Sequence, residues 1–107
     1  MKKIYLACPY SDPDPIVRVN RFWKANQMAA TLMEENNIVF SPISHSHPVS
    51  LCMDNSLDRM FWLAQDQAFI DWCDALYVYR IEGWEESEGV KREIEWAKAA
   101  GKEVEYL

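Results

Sequence analysis

Glycine is scarce: Gly83, Gly89 and Gly101 are the only three in 107 residues. A phosphate-cradling loop or a dinucleotide fingerprint needs several glycines within a few positions, so neither fits and no cofactor is expected. Cysteine is equally sparse. Cys8, Cys52 and Cys73 are odd in number and lack paired spacing, which points to reduced thiols inside a cell. His45 and His47, one residue apart with a single Cys52 downstream, do not make a standard zinc spacing, and no metal is expected. Basic side chains number 11 against 17 acidic ones, a net charge of -6. That excludes the clustered basic surface a nucleic-acid polymer demands, but not a small phosphorylated ligand, for which a few donors suffice. Long apolar runs are missing as well. After Lys2 and Lys3 the run Ile4 to Cys8 stops at Pro9, too short for a signal peptide, and no segment approaches membrane-spanning length. A soluble, cytoplasmic protein without a membrane partner is expected.

What is present is a core. Half the residues are apolar, and five Trp, five Tyr and four Phe supply large packing units for one domain over residues 1–107. Lys3 to Cys8 reads as a short buried strand. Ile16 to Glu35 has helical spacing through Val17, Phe22, Ala25, Met28, Ala29 and Leu32, with Asn36-Asn37 as its stop. Ile38 to Phe40 is a second strand. Ser41 to Pro48 reads as a polar, proline-bounded loop. A second helix is predicted from near Ser56 to Trp72 or Cys73, with Leu57, Phe61, Ala64 and Ala68 on one face. Ala75 to Tyr79 is a third strand, Gly83 to Glu86 a loop, and Ser87 an N-cap for a third helix ending before Gly101. Val104 to Leu107 closes the pattern as a fourth strand.

Alternating strands and helices predict an α/β fold, a flavodoxin- or Rossmann-like three-layer sandwich on a four-stranded parallel sheet of order 2-1-3-4. In such sheets ligands bind beyond the carboxyl ends of the strands, where the chain order reverses. Four polar segments converge there: the loop after Cys8, holding Pro9 and Tyr10, the His45/His47 segment, the loop after Tyr79, and the turn at Ser87.

One charge breaks the helical pattern. Val90, Ile94 and Ala97 form the apolar face of the last helix, and Glu93 falls between Val90 and Ala97 on that face. A carboxylate held against an apolar face near a helix start suits a nucleophile or a base. The bland reading is a rim residue that snorkels to solvent. Ser87 sits beside unpaired helix amides that suit an anion, and ordinary capping explains it equally. Asp74 precedes a strand and reads as a turn residue. By periodicity Asp71 is the odder carboxylate of the second helix, since Asp66 falls among Trp62, Phe69 and Cys73. His45 and His47 are read as contacting substrate or bracing their loop. The tryptophans are core or interface by default, except Trp84, whose loop would let it stack on a base.

These motifs together resemble the nucleoside 2-deoxyribosyltransferase superfamily. Within it, the chain is similar to a small branch marked by Ile-Tyr-Leu-Ala-Cys-Pro-Tyr at the N-terminus and Ser-Pro-Ile-Ser-His-Ser-His further on. Ser87-x-Gly89-Val90-x-x-Glu93 matches the superfamily's pattern of a polar or acidic residue, a glycine and the nucleophilic glutamate. The resemblance implies that Glu93 is the nucleophile, that Asp66 handles the base, and that Tyr5 orients the glutamate. Ser87, Gly89, Pro9, Tyr10, His45, His47 and Trp84 are the expected substrate contacts.

The implied function is cleavage or transfer at the N-glycosidic bond of a (deoxy)ribonucleoside or its 5'-monophosphate, through a glycosyl-enzyme on Glu93. Serine at position 87, where the transferases usually carry an acid, tilts the reading toward a nucleotide. The chain ends at Leu107, short of the extension with which the transferases often complete a neighbour's pocket, which counts against transfer. The alternative is a non-catalytic nucleotide-binding or sensing module on the same fold. A homo-oligomer is expected, with exposed tryptophans at its interface.

Overall fold

Tyr5 sits at the centre of the sheet, registered between Phe40 on one neighbouring strand and Leu76 on the other. The computed structural model describes residues 1–54 and 59–107, so the expected helix start near Ser56 and Leu57 lies outside the described residues. The elements run β1 (Lys3–Ala7), α1 (Pro15–Glu34), β2 (Ile38–Phe40), α2 (Pro42–Ser50), α3 (Arg59–Trp72), β3 (Ala75–Val78), α4 (Glu88–Ala99) and β4 (Glu103–Tyr106). All pairings are parallel and the strand order is β2-β1-β3-β4, as the alternation predicts.

Strand alternation divides the core. Ile4 and Leu6 pack with Ala29 and Leu32 of α1, whereas Tyr5 and Ala7 pack with Ile70 of α3, Cys73 just after it, and Val90 and Ala97 of α4. Helices therefore cover both faces, and the fully buried stretch of β1, Ile4 to Ala7, carries no charge. Each fully buried Ile or Leu contributes roughly 1.5–3 kcal/mol by leaving water.

The helix ends are chemically specified. Asp14 caps α1 by accepting from the Ile16 amide at 2.9 Å, with Pro15 at the first helical position. Ser87 caps α4 by accepting from the Val90 amide at 3.2 Å. At its far end Gly101 takes φ 72°, while the amides of Gly101 and Lys102 donate to the Lys98 and Ala97 carbonyls. That is a Schellman stop, which a left-handed glycine makes without strain.

Two expectations need correction. Residues 42–48 belong to a helix, α2, and not to a loop. Pro42 occupies the first helical position, where its missing N–H costs nothing, and the His45 amide donates to the Ser41 carbonyl at 3.1 Å. Pro48 cannot donate within the helix, and α2 ends two residues later. The buried face of α3 also differs. Ala64 and Ala68 are exposed, while Ile70, Cys73 and the partly buried Phe69 face the sheet. So apolar a helix offers periodicity several equivalent faces, and docking on Tyr5 and Leu76 selects one.

Candidate active site

In the order β2-β1-β3-β4 the sense of strand addition reverses between β1 and β3, and a cavity of about 730 Å³ opens beyond their carboxyl ends. Cys8, Tyr10 and Ser11 line it from the β1 loop, and Pro42, Ile43, Ser46, His47 and Ser50 from α2. Trp62, Leu63 and Asp66 of α3 face Glu86, Ser87, Glu88, Gly89 and Glu93 across it. Its size suits a nucleoside-sized ligand.

Glu93 does not snorkel. It is 8% exposed, and the Tyr5 hydroxyl donates to its Oε2. Burial pushes the Glu93 carboxyl up to about 8; the Tyr5 hydrogen bond opposes this shift and the nearby Asp66 charge adds to it. The Tyr5 phenol is itself held well above its ordinary range, by burial first and then by the Glu93 and Asp66 charges, so it remains a donor. Burial likewise raises Asp66 to about 6. Two carboxyls with different proton affinities thus share one cavity, the arrangement that lets one serve as acid and the other as base or nucleophile.

Periodicity singled out Asp71, but Asp71 is exposed and Asp66 lines the cavity, because α3 buries the face on which Trp62 and Phe69 lie. Tyr10 places its hydroxyl 2.5 Å from His47 Nδ1, and the Phe22 ring lies 4.4 Å from the His47 ring. His47 is thereby fixed in the wall. His45 is exposed and leans on Phe40 and Phe69, at ring separations of 5.5 and 6.3 Å, outside the lining. The α2 helix accounts for this split, since residues two apart on a helix point in different directions. Pro9 is fully buried beneath the cavity and does not line it. Trp84 packs against the core and the Tyr106 ring, 5.9 Å away, and is not among the residues that line the cavity. Trp62, unmarked by the sequence reading, lines the cavity one helical turn from Asp66. That i, i+4 spacing was the available signal.

The charge of the cavity is one-sided. Asp66, Glu86, Glu88 and Glu93 line it, and among the described lining residues there is no lysine or arginine. An adjoining cavity of about 540 Å³ shares Ser11, Glu86 and Ser87 with it and is lined by Arg21, Lys24 and Asn20 of α1. The Arg21 guanidinium donates to the Ser11 and Glu82 carbonyls. Gly83, at φ 92°, gives it room, since a Cβ there would collide with Arg21 Nη2. Among the described residues no group of three His, Cys, Asp or Glu stands close enough to hold a metal ion. No helix among them is long and apolar enough to cross a membrane.

A family model for a domain of unknown function, DUF1937, matches residues 2–107. The chain belongs to the DUF1937 family. A search of curated proteins finds no match. Solved structures do match this DUF1937 chain. A 2-deoxyribosyltransferase from the psychrotolerant bacterium Bacillus psychrosaccharolyticus superposes with a TM-score of 0.71 at 21% identity, over 97% of this chain and 70% of that one. The CMP N-glycosidase of Clostridium botulinum gives 0.65 at 21% identity, over 99% and 71%. A 2-deoxyribosyltransferase from Leishmania mexicana gives 0.66 at 20% identity, over 100% of this chain and 64% of that one. At these identities the likeness is one of fold, and the fold of this DUF1937 member is the one these structures share.

Proposed function

We propose that the chain cleaves or transfers the N-glycosidic bond of a nucleoside or nucleoside 5'-monophosphate, with Glu93 as nucleophile and Asp66 as acid. The observation that carries this reading is the buried Glu93 carboxyl, held by Tyr5 and sharing a nucleoside-sized cavity with Asp66. The named activities of the structural neighbours, 2-deoxyribosyl transfer and CMP N-glycosidic cleavage, belong to the same class of reaction.

In the first step a Glu93 oxygen bonds to the anomeric carbon while the carbon–nitrogen bond breaks. Its electron pair leaves with the base, which takes the Asp66 proton. Water then attacks the same carbon and gives a proton back to Asp66, while Glu93 departs as carboxylate. Free sugar and free base result. A second base in place of water completes a transfer. Between pH 6 and 8 the two carboxyls hold one proton between them, the number the first step consumes. Glu93, at about 8 against about 6 for Asp66, holds that proton more tightly. The reactive form is therefore the minor tautomer that carries it on Asp66, and the Tyr5 hydrogen bond to the Glu93 anion favours that tautomer. Trp62, Leu63 and Ile43 offer the apolar surface a base requires.

The test is base release from a panel of (deoxy)nucleosides and their monophosphates, followed chromatographically for wild type, Glu93→Ala and Asp66→Asn. Wild-type release that Glu93→Ala abolishes supports the mechanism. Release that survives Glu93→Ala sinks it. Ligand binding with no release from any member of the panel identifies a non-catalytic module instead. Adding a second free base separates transfer from hydrolysis.

A further inference from the structure

His47 is clamped on two sides and open on a third. The Tyr10 hydroxyl lies 2.5 Å from its Nδ1, and the Phe22 ring covers one of its faces at 4.4 Å, tilted by 33°. Among the described residues its Nε2 meets no hydrogen-bond partner, and the ring lines the cavity of about 730 Å³. The Ser50 hydroxyl donates to the His47 carbonyl at 2.7 Å and pins the backbone beneath the ring. A side chain held in this way is ordered by folding and not by its ligand, which is what recognition requires.

The clamp also fixes which nitrogen carries the proton. Of the two groups the phenol is the better donor, and an imidazole nitrogen without a proton is the better acceptor. The Tyr10 hydroxyl has no other partner among the described residues, so it donates to Nδ1. The ring proton then sits on Nε2, and His47 presents an N–H to the cavity.

Its place in the cavity says what that N–H meets. The anomeric carbon has to reach Glu93 on α4, and a 5'-phosphate lies toward Ser11 and Ser87, where the cationic cavity adjoins. The base is left with the walls formed by α2 and α3. On α2, Ile43 and His47 stand one turn apart on the same face, and α3 contributes Trp62 and Leu63. A base lying on this apolar surface brings its ring edge to His47. Ser46 lines the same wall, but a hydroxyl donates and accepts alike and does not discriminate.

We propose that His47, oriented by Tyr10, selects bases with a carbonyl at the edge remote from the sugar over bases with an amino group there. That edge is the 4-position of a pyrimidine or the 6-position of a purine. An amino group would set donor against donor and leave the Nε2 proton without an acceptor. His47 is thus a specificity residue and Tyr10 a positioning residue. The proposal rests on the glycosidic reading for the nature of the occupant, a nucleoside or its monophosphate.

Two matched pairs test it: uridine against cytidine 5'-monophosphate, and inosine against adenosine 5'-monophosphate. Calorimetric binding is measured at about pH 8, above the ordinary histidine range, on the Glu93→Gln chain so that no bond is cleaved. The carbonyl member of each pair is expected to bind at least about tenfold more tightly. Adding His47→Phe keeps a ring against Phe22 without an N–H, and should bring the ratio close to one by weakening the carbonyl member. Adding Tyr10→Phe instead releases Nδ1, so the ring can offer a bare Nε2 to an amino group. The amino member should then gain affinity, a result that a merely loosened wall does not produce. Equal binding within each pair, a ratio that either variant leaves unchanged, or no binding of any probe overturns the proposal. Base release by wild type without a carbonyl preference refutes the role of His47 alone. A carbonyl preference in binding, with no release by wild type, refutes the glycosidic reading alone.

Discussion

The Tyr5 hydroxyl and the Glu93 carboxyl, 88 positions apart, form the hydrogen bond that joins the central strand to the last helix. The pair exists because β1 turns its odd positions toward α3 and α4, and because Glu93 replaces an apolar residue on the inner face of α4. Burial disfavours the Glu93 charge and Tyr5 favours it, and burial wins.

Removing the donor should tip that balance further. Tyr5→Phe is predicted to raise the Glu93 pKa above its present value of about 8. It should also cost about 1–2 kcal/mol of stability through the lost buried hydrogen bond. Urea unfolding measures the second effect. Carbon-detected NMR titration of the Glu93 carboxyl measures the first, and a downward shift would contradict the account.

Glu93 itself should make stability pH-dependent. Its folded pKa, about 8, lies above the unfolded value of 4.5, so folding favours the protonated acid. Stability from this group is complete below about pH 4.5 and is lost as pH rises through about 8. Glu93→Gln, which keeps an acceptor for Tyr5, should match wild type near pH 4. It should exceed wild type by on the order of 5 kcal/mol well above pH 8. Chemical denaturation at the two pH values decides, and equal stability at both would remove the burial argument.

If the two carboxyls act as proposed, kcat/KM should follow a bell with limbs near pH 6 and pH 8. Below the lower limb both are protonated and the nucleophile is lost. Above the upper limb both are ionised and the acid is lost. These limbs belong to the pair and not to either residue. A profile flat from pH 5 to 9 would exclude the dyad.

Lys24 provides a test of phosphate recognition. The main cavity is acidic, and the cationic side chains stand in the cavity that adjoins it at Ser11 and Ser87. A 5'-phosphate held there is predicted to feel Lys24. Lys24→Ala should then weaken monophosphate binding by about two- to fivefold, less so in high salt, and leave nucleoside binding unchanged. Calorimetric titration with the matched pair of ligands is the check. Equal weakening for both ligands would place the phosphate elsewhere.

Much of this was legible in the residues, for identifiable reasons. The strands are short apolar runs bounded by turn residues, and α4 is amphipathic enough that one misplaced carboxylate stands out. The Ser87 cap and the Gly101 stop are local signals with local causes. Legibility failed where tertiary contacts decide. Two prolines and two histidines hid α2, although Ser41-Pro42 is a sound helix start. The apolar circumference of α3 let periodicity favour Asp71, whereas the resemblance pointed to Asp66, the one that lines the cavity once the sheet chooses a face. His45 and Trp84 were assigned by segment, yet a segment does not fix where each side chain points.

Trp62 and Trp84 separate cavity from core by experiment. Trp62 is partly buried in the cavity wall one turn from Asp66, whereas Trp84 packs on the cluster around Tyr5, Val78 and Val90. Trp62→Ala is predicted to cost about 1 kcal/mol of ligand affinity, through lost apolar and stacking contact with a base, and little stability. Trp84→Ala is predicted to cost about 2–3 kcal/mol of stability, below the full core penalty because the ring is only partly buried. Its ligand affinity should stay close to wild type wherever it remains folded. Thermal unfolding with and without ligand reads both quantities in one experiment. A Trp84→Ala protein that loses affinity as sharply as Trp62→Ala would return Trp84 to the binding surface and show that the loop after β3 moves when ligand enters.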